Sequence, residues 1–328
     1  MNRVLILAPN WLGDAVMALP AIADVRRGSP HATIVVAARE SVAPLFGMVR
    51  DVDEVIALGP LVKSFGRDAD AAILLPNSFH AAMVAARAGI PERWGYRTDW
   101  RGMFLTRAID RAPAGIHQIG YYRYLVRALG FPNGPDAPQL EVSVEIRAAA
   151  ARTLTQAGWD GQTPLVVLAP GTAYGGARRW PPESFAALAR TLAGDGMRPV
   201  LIGSAADAPG GRAVESALGD STIALNLIGK TDVPTLAGVL ATARALVAND
   251  SGALHLGAAV GTPVTAMFGP TDERVTGPRA AHTSRSAAVV LTHPVWCRPC
   301  GLRECPLDHA CMRGIGAEAA VDAAMRLQ

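Results

Sequence analysis

Asp14 closes the run Ala8-Pro9-Asn10-Trp11-Leu12-Gly13-Asp14, which joins a short apolar segment to a longer one of helical period. A carboxylate placed there can satisfy free amides in the first turn of a helix. It can equally serve as a general base, with Gly13 leaving room for a substrate beside it. The run lacks the GxGxxG spacing that brings a backbone against a dinucleotide pyrophosphate, which argues against a nicotinamide enzyme.

Two further loops carry the residue types that recognise phosphate. Gly171-Thr172-Ala173-Tyr174-Gly175-Gly176-Ala177-Arg178-Arg179-Trp180 combines small residues with paired arginines, so that amides and the Thr172 hydroxyl donate while Arg178 or Arg179 neutralises charge. A glycine turn with surface arginines has the same composition. In Asn249-Asp250-Ser251-Gly252-Ala253-Leu254-His255 a strand enters a polar turn and then a helix, and the first amides of that helix form an anion site. Asp250 or Ser251 can cap the helix, and helical spacing returns His255 to the face of Ser251. Gly203-Ser204-Ala205-Ala206-Asp207 and Gly269-Pro270-Thr271-Asp272 are weaker candidates of the same kind.

Arginines 87, 93, 97, 101 and 107 recur among Trp94, Tyr96 and Trp100, and Lys63 lies in an earlier loop. Such a face suits a phosphorylated or carboxylated sugar at a membrane surface, or is a solvated basic face. The four cysteines, Cys297, Cys300, Cys305 and Cys311, share one short segment. Their spacing permits a structural zinc or iron–sulfur site as well as a set of reduced thiols, and no metal is assigned to them.

Short apolar runs alternating with helical segments must position these loops, the pattern of β-α units around parallel sheets. Strands are expected at residues 3–7, 33–37, 54–58 and 71–75, then at 165–169, 199–203, 245–248 and 264–268. Helices are expected at 15–27, 79–88, 117–129, 145–157 and 317–327. The prolines and polar residues of 131–138 mark an irregular connection. Two domains follow, 1–158 and 159–328, each with ligand loops at the carboxyl ends of its strands.

The composition agrees. Half of the 328 residues are hydrophobic and 18% charged, which suits sheets buried on both faces and excludes a disordered chain. A net charge of +3 is too small to suggest nucleic acid as a partner. No stretch supplies the roughly 18 apolar residues of a membrane span, and Pro9, Asn10 and Asp14 interrupt the first apolar run too early for a signal peptide. The expectation is a cytoplasmic protein with at most peripheral membrane contact.

Together, the Asn10–Asp14, Gly171–Pro181 and Asn249–His255 motifs resemble the ADP-heptose:lipopolysaccharide heptosyltransferases, glycosyltransferase family 9. Residues 77–96 and the cysteine segment look most like the heptosyltransferase II subgroup. The resemblance implies an α/β GT-B fold, two Rossmann-like domains facing each other across a cleft, with the acceptor on the first, the donor on the second and the C-terminal helix often returning to the first. It implies inverting, metal-independent transfer of heptose from ADP-heptose to a lipid-linked core oligosaccharide, with no cofactor, at the cytoplasmic face of the inner membrane. Asp14 matches the base, and Arg178 stands where relatives commonly carry a lysine facing the diphosphate. Gly171, Thr172, Arg179, Asp250, Ser251, Gly252 and His255 fall to the donor, and Gly13, Lys63, Arg97 and Arg101 to the acceptor. The rivals are heptosyltransferase I, a related transferase for another nucleotide sugar, and a non-catalytic nucleotide-sugar binding protein.

Overall fold

The computed structural model describes residues 1–59, 68–220, 222–280 and 287–327. The chain divides into two units, Met1–Leu140 and Glu141–Gln328. The first runs β1 (Arg3–Leu7), α1 (Leu12–Gly28), β2 (Thr33–Arg39), α2 (Ala43–Phe46), β3 (Glu54–Leu58), β4 (Ala71–Leu74), α3 (Phe79–Arg87), β5 (Glu92–Tyr96), β6 (Arg107–Ile109) and α4 (Gln118–Ala128). The second opens with α5 (Val144–Gln156), β7 (Leu165–Ala169), α6 (Pro182–Gly194), β8 (Arg198–Leu201), α7 (Ala208–Leu218), β9 (Leu225–Asn226) and α8 (Val233–Thr242). It continues through β10 (Ala245–Asn249), α9 (Gly252–Ala259), β11 (Val264–Phe268), α10 (Glu273–Thr276), β12 (Ala288–Thr292), α11 (Ala310–Arg313) and α12 (Ala317–Arg326).

Each unit is built on a six-stranded, all-parallel sheet, ordered β3-β2-β1-β4-β5-β6 in the first and β12-β11-β10-β7-β8-β9 in the second. Counted within its own unit, each order is 3-2-1-4-5-6, that of the Rossmann fold. Every residue of β4, β7, β10 and β11 is buried, and apolar runs without alternation are what helices on both faces demand. Ser78, Ser143 and Asp232 cap α3, α5 and α8 by accepting from Ala81, Ile146 and Thr235 amides.

The boundary expected near residue 158 lies at Leu140 instead, because α5 packs on α8. A Cβ on Gly238 would sit 2.7 Å from Ala150 Cβ and 2.8 Å from the Ile146 carbonyl, so this glycine admits α5 to the second unit. Helix α12 packs on α6 and buries Ala320 and Ala324 in the second unit's core. In the first unit the irregular segment after α4 is fastened by buried Asp24. Its carboxylate accepts from Arg27 (2.6 Å), Arg123 (2.9 Å) and the Gly134 amide (2.8 Å).

A Rossmann sheet has a switch point where its strand order reverses, and ligands bind beyond the carboxyl ends of the strands that flank it. Those strands are β1 and β4 in the first unit and β7 and β10 in the second. The first turn of the helix after β1 carries Asp14, and the loops after β7 and β10 carry Arg178 and Asp250.

Candidate functional site

In the second unit, Asn249 ends β10 with a fully buried side chain. Its Nδ2 donates to the Pro170 carbonyl at 2.8 Å and its Oδ1 accepts from the Trp180 amide at 3.1 Å. One amide thereby fixes both ends of the loop after β7. Trp180, itself buried, donates its indole N–H to the Ile315 carbonyl at 2.9 Å and anchors the exit from that loop.

Asp250, also buried, accepts through one oxygen from Arg178 Nη1 at 2.9 Å and from Thr271 Oγ1 at 2.7 Å. The loops after β7, β10 and β11 therefore meet at a single carboxylate. Thr172 turns inward and donates to the Gly175 carbonyl at 2.6 Å, closing its own turn. Among the described residues, the buried Arg178 Nε and Ser251 Oγ have no hydrogen-bond partner. Ser251 occupies the N-cap of α9 without capping it. Two orphaned buried polar atoms carry a desolvation cost that an oxygen-rich ligand would relieve.

The other donor candidates fall around this point. Gly252 begins α9, His255 is buried within it, and Arg179 is exposed beyond the turn that carries Arg178. Gly171 must be glycine, since a Cβ there would lie 2.3 Å from the carboxyl carbon of Asp207. That carboxylate accepts from the amide and hydroxyl of Ser204 at 2.9 and 2.7 Å, placing the weaker Ser204–Asp207 candidate beside the same loop.

In the first unit, Gly13 and Asp14 lie in the first turn of α1. The Tyr122 hydroxyl on α4 donates to Asp14 Oδ1 at 3.4 Å, a long hydrogen bond. Burial, and then the neighbouring Asp14 charge, hold the Tyr122 pKa well above its usual value, so it stays a proton donor toward that carboxylate. Asn77, after β4, donates to the Tyr121 hydroxyl at 2.8 Å, and the Tyr121 and Tyr122 rings meet edge to face. Sequence reasoning missed Tyr121 and Tyr122, whose only signal is one face of an ordinary amphipathic helix. A cavity of about 660 Å³ opens at the ends of this sheet, lined by Asn10, Arg39, Glu40, Ser41, Ser78 and His80 among others.

The arginine-rich stretch does not form a basic face. Arg101 is fully buried, with Nε on the Tyr96 carbonyl at 2.9 Å and Nη1 on the Pro76 carbonyl. Arg93 donates to the Phe104 carbonyl and Arg107 to the Leu129 carbonyl. These guanidinium groups tie off backbone at β5 and β6, while Arg97 remains exposed, 3.9 Å from Asp110. Lys63 lies outside the described residues. The four cysteines are free thiols, and no group of three or more metal-binding side chains among the described residues is disposed to hold an ion. Likewise, no helix among the described residues is long and apolar enough to cross a membrane.

Two parallel sheets, each in the Rossmann order and without a dinucleotide fingerprint, fit the two-domain α/β class of nucleotide-sugar transferases. Residues 59–311 match glycosyltransferase family 9 (heptosyltransferase), and the chain belongs to that family. It is 31% identical to lipopolysaccharide heptosyltransferase 2 of Escherichia coli K12, over 86% of this chain and 87% of that protein. It is 32% identical to lipooligosaccharide heptosyltransferase 2 of Haemophilus influenzae, over 84% and 86% of the two chains. The solved structure of E. coli ADP-heptose LPS heptosyltransferase II superimposes with a TM-score of 0.83 at 28% identity, covering 100% of this chain and 98% of that one.

Proposed function

We propose that this protein transfers a heptose from ADP-heptose onto the first heptose of a lipid-linked lipopolysaccharide inner core, with inversion at the anomeric carbon. The observation that carries the donor half is the shared carboxylate of Asp250, with the unsatisfied Arg178 Nε and Ser251 Oγ beside it. In this reading the α9 amides, Ser251 and Arg178 receive the diphosphate, Thr172 shapes the loop beside it by donating to the Gly175 carbonyl, Gly252 and His255 line it, and Arg179 adds charge from the surface. Ser204 and Asp207, next to Gly171, suit ribose hydroxyls.

Asp14 takes the proton from the attacking acceptor hydroxyl, and the new glycosidic bond forms as the bond to the β-phosphate oxygen breaks. ADP leaves with the bonding pair. The charge that builds on its phosphate falls to Arg178 and the amides, each important donor being worth on the order of 10²–10³ in rate. This set fills the place a divalent ion takes in other nucleotide-sugar enzymes. Tyr122 orients Asp14. The acceptor sugar occupies the first-unit cavity, where Arg39 offers a cation and Ser41, Ser78 and His80 offer hydrogen bonds; Gly13 keeps the approach to Asp14 open. Since that acceptor is lipid-linked, the protein works at the cytoplasmic face of the inner membrane by peripheral contact.

Turnover measured side by side with ADP-heptose and with UDP- and GDP-sugars tests the donor assignment. ADP-heptose alone should support transfer, and an equal or faster rate with a uridine or guanosine donor would overturn it.

A further inference from the structure

The cysteine-bearing segment grips the loops on either side of Asp250. Toward β11, the Gly301 amide donates to the Pro270 carbonyl at 2.7 Å, and Arg298 donates to the Gly269 carbonyl at 2.8 Å and to Glu273 at 2.6 Å. That loop carries Thr271, which donates to Asp250.

Toward β7 the contact is backbone against backbone. Gly175 has a φ of +100°, and a Cβ there would lie 2.3 Å from the Arg303 carbonyl oxygen. The Gly176 amide donates to Glu304 Oε1 at 2.9 Å, and the Ala177 amide donates to the Arg303 carbonyl at 3.0 Å. The first two amides of the short turn that ends in Arg178 are thus both committed to residues 303 and 304.

A third tie runs through Tyr174. The guanidinium carbon of Arg178 lies 4.8 Å from the centre of its ring, and that of Arg303 lies 5.0 Å from it. Two cations on one ring repel each other, and an anion between the loops relieves that repulsion. Arg178 is consequently held by its anchored turn, by the Tyr174 ring and by Asp250.

We infer that Arg303 and Glu304, with Tyr174 between Arg303 and Arg178, are positioning residues for the donor diphosphate. They fix the direction of the Arg178 guanidinium without forming the catalytic machinery themselves. The inference rests on the proposed reading of this loop as the diphosphate site. Arg303 and Glu304 are both exposed, so their substitution leaves the core intact.

The test compares Arg303→Ala, Glu304→Ala, Glu304→Gln and Tyr174→Leu in the full-length protein. The readouts are the KM for each substrate, kcat, the Kd for ADP by calorimetry, and the thermal midpoint. Glu304→Ala and Tyr174→Leu should each raise the donor KM and the ADP Kd by roughly three- to tenfold, and Arg303→Ala, which keeps the carbonyl that accepts from Ala177, should raise them by less, with acceptor KM and thermal midpoint unchanged. Glu304→Gln keeps an oxygen that accepts from the Gly176 amide and should restore near-normal values. Unchanged ADP affinity in these variants, alongside weakened binding in Arg178→Ala, would overturn the positioning role alone. ADP affinity unchanged in Arg178→Ala as well would remove the diphosphate reading beneath it. A fall in thermal midpoint that moves both KM values together would reduce residues 303 and 304 to a structural role.

Discussion

Arg178 Nη1 and Thr271 Oγ1 converge on the same oxygen of Asp250, at 2.9 and 2.7 Å. A buried carboxylate so engaged holds the arginine in place before any ligand arrives, and preorganised charge is what a departing diphosphate requires. Arg178→Ala should lower kcat on the order of 10²-fold. It also leaves Asp250 buried with Thr271 as its remaining described partner, so stability should fall by about 1–3 kcal/mol in denaturant titration. Arg178→Lys keeps the charge but loses Nε and the planar fork, so its activity should fall below wild type while staying above that of Arg178→Ala.

Asp14 is proposed to act on the acceptor, so Asp14→Asn should separate chemistry from donor binding. Transfer should fall by at least ~10²-fold, while the Kd for ADP-heptose measured by calorimetry stays within a factor of about two. Tyr122→Phe removes the hydroxyl 3.4 Å from the carboxylate and should lower kcat by less than Asp14→Asn does, with the donor KM unchanged.

Asn249 and Asp24 are two buried polar side chains that tie irregular chain to sheet and helix. Asn249→Ala frees the Pro170 carbonyl and the Trp180 amide at once and should cost about 1–3 kcal/mol in unfolding free energy. Asp24→Ala leaves Arg123, almost wholly buried, without its carboxylate, and should cost about 3–5 kcal/mol. Its effect on transfer should follow the folded fraction alone.

How far this site was legible in the sequence depended on the kind of contact involved. The strands behind Asp14, Arg178 and Asp250 read clearly because Leu165–Ala169 is an unbroken apolar run, Arg3–Leu7 is apolar after its first residue and Ala245–Asn249 is apolar up to its last, a density that suits a sheet covered on both faces. Strands β5, β6, β9 and β12 did not: β5 is charged and aromatic, β6 and β9 span three and two residues, too short for a period to show, and β12 is a half-exposed edge strand. Arg101 misled for a different reason. Type alone marks an arginine as exposed, whereas this one spends its donors on the Tyr96 and Pro76 carbonyls. The grip of Glu304 on Gly176 joins residues 128 positions apart, which no local pattern carries.

Acid stability gives an independent check on the loop structure of the second unit. The Asp160 carboxylate accepts from the Thr163 hydroxyl, the Gln162 amide and the Thr163 amide, which together hold its pKa down to about 2 from 3.8. A folded pKa below the unfolded one stabilises the protein fully above pH 3.8, and the contribution disappears as pH falls through about 2. Asp160→Asn should therefore be less stable than wild type at pH 5, with the gap closing between about pH 4 and pH 2 in urea titrations at each pH.

The most direct test of heptosyl transfer uses purified protein, ADP-heptose and two defined core acceptors, one bearing no heptose and one bearing a single heptose, with products identified by mass and anomeric configuration. The acceptor already carrying one heptose should gain a second, with the anomeric configuration of the donor inverted. ADP-heptose bound with no product on either acceptor, or a product of retained configuration, would contradict the proposed transfer.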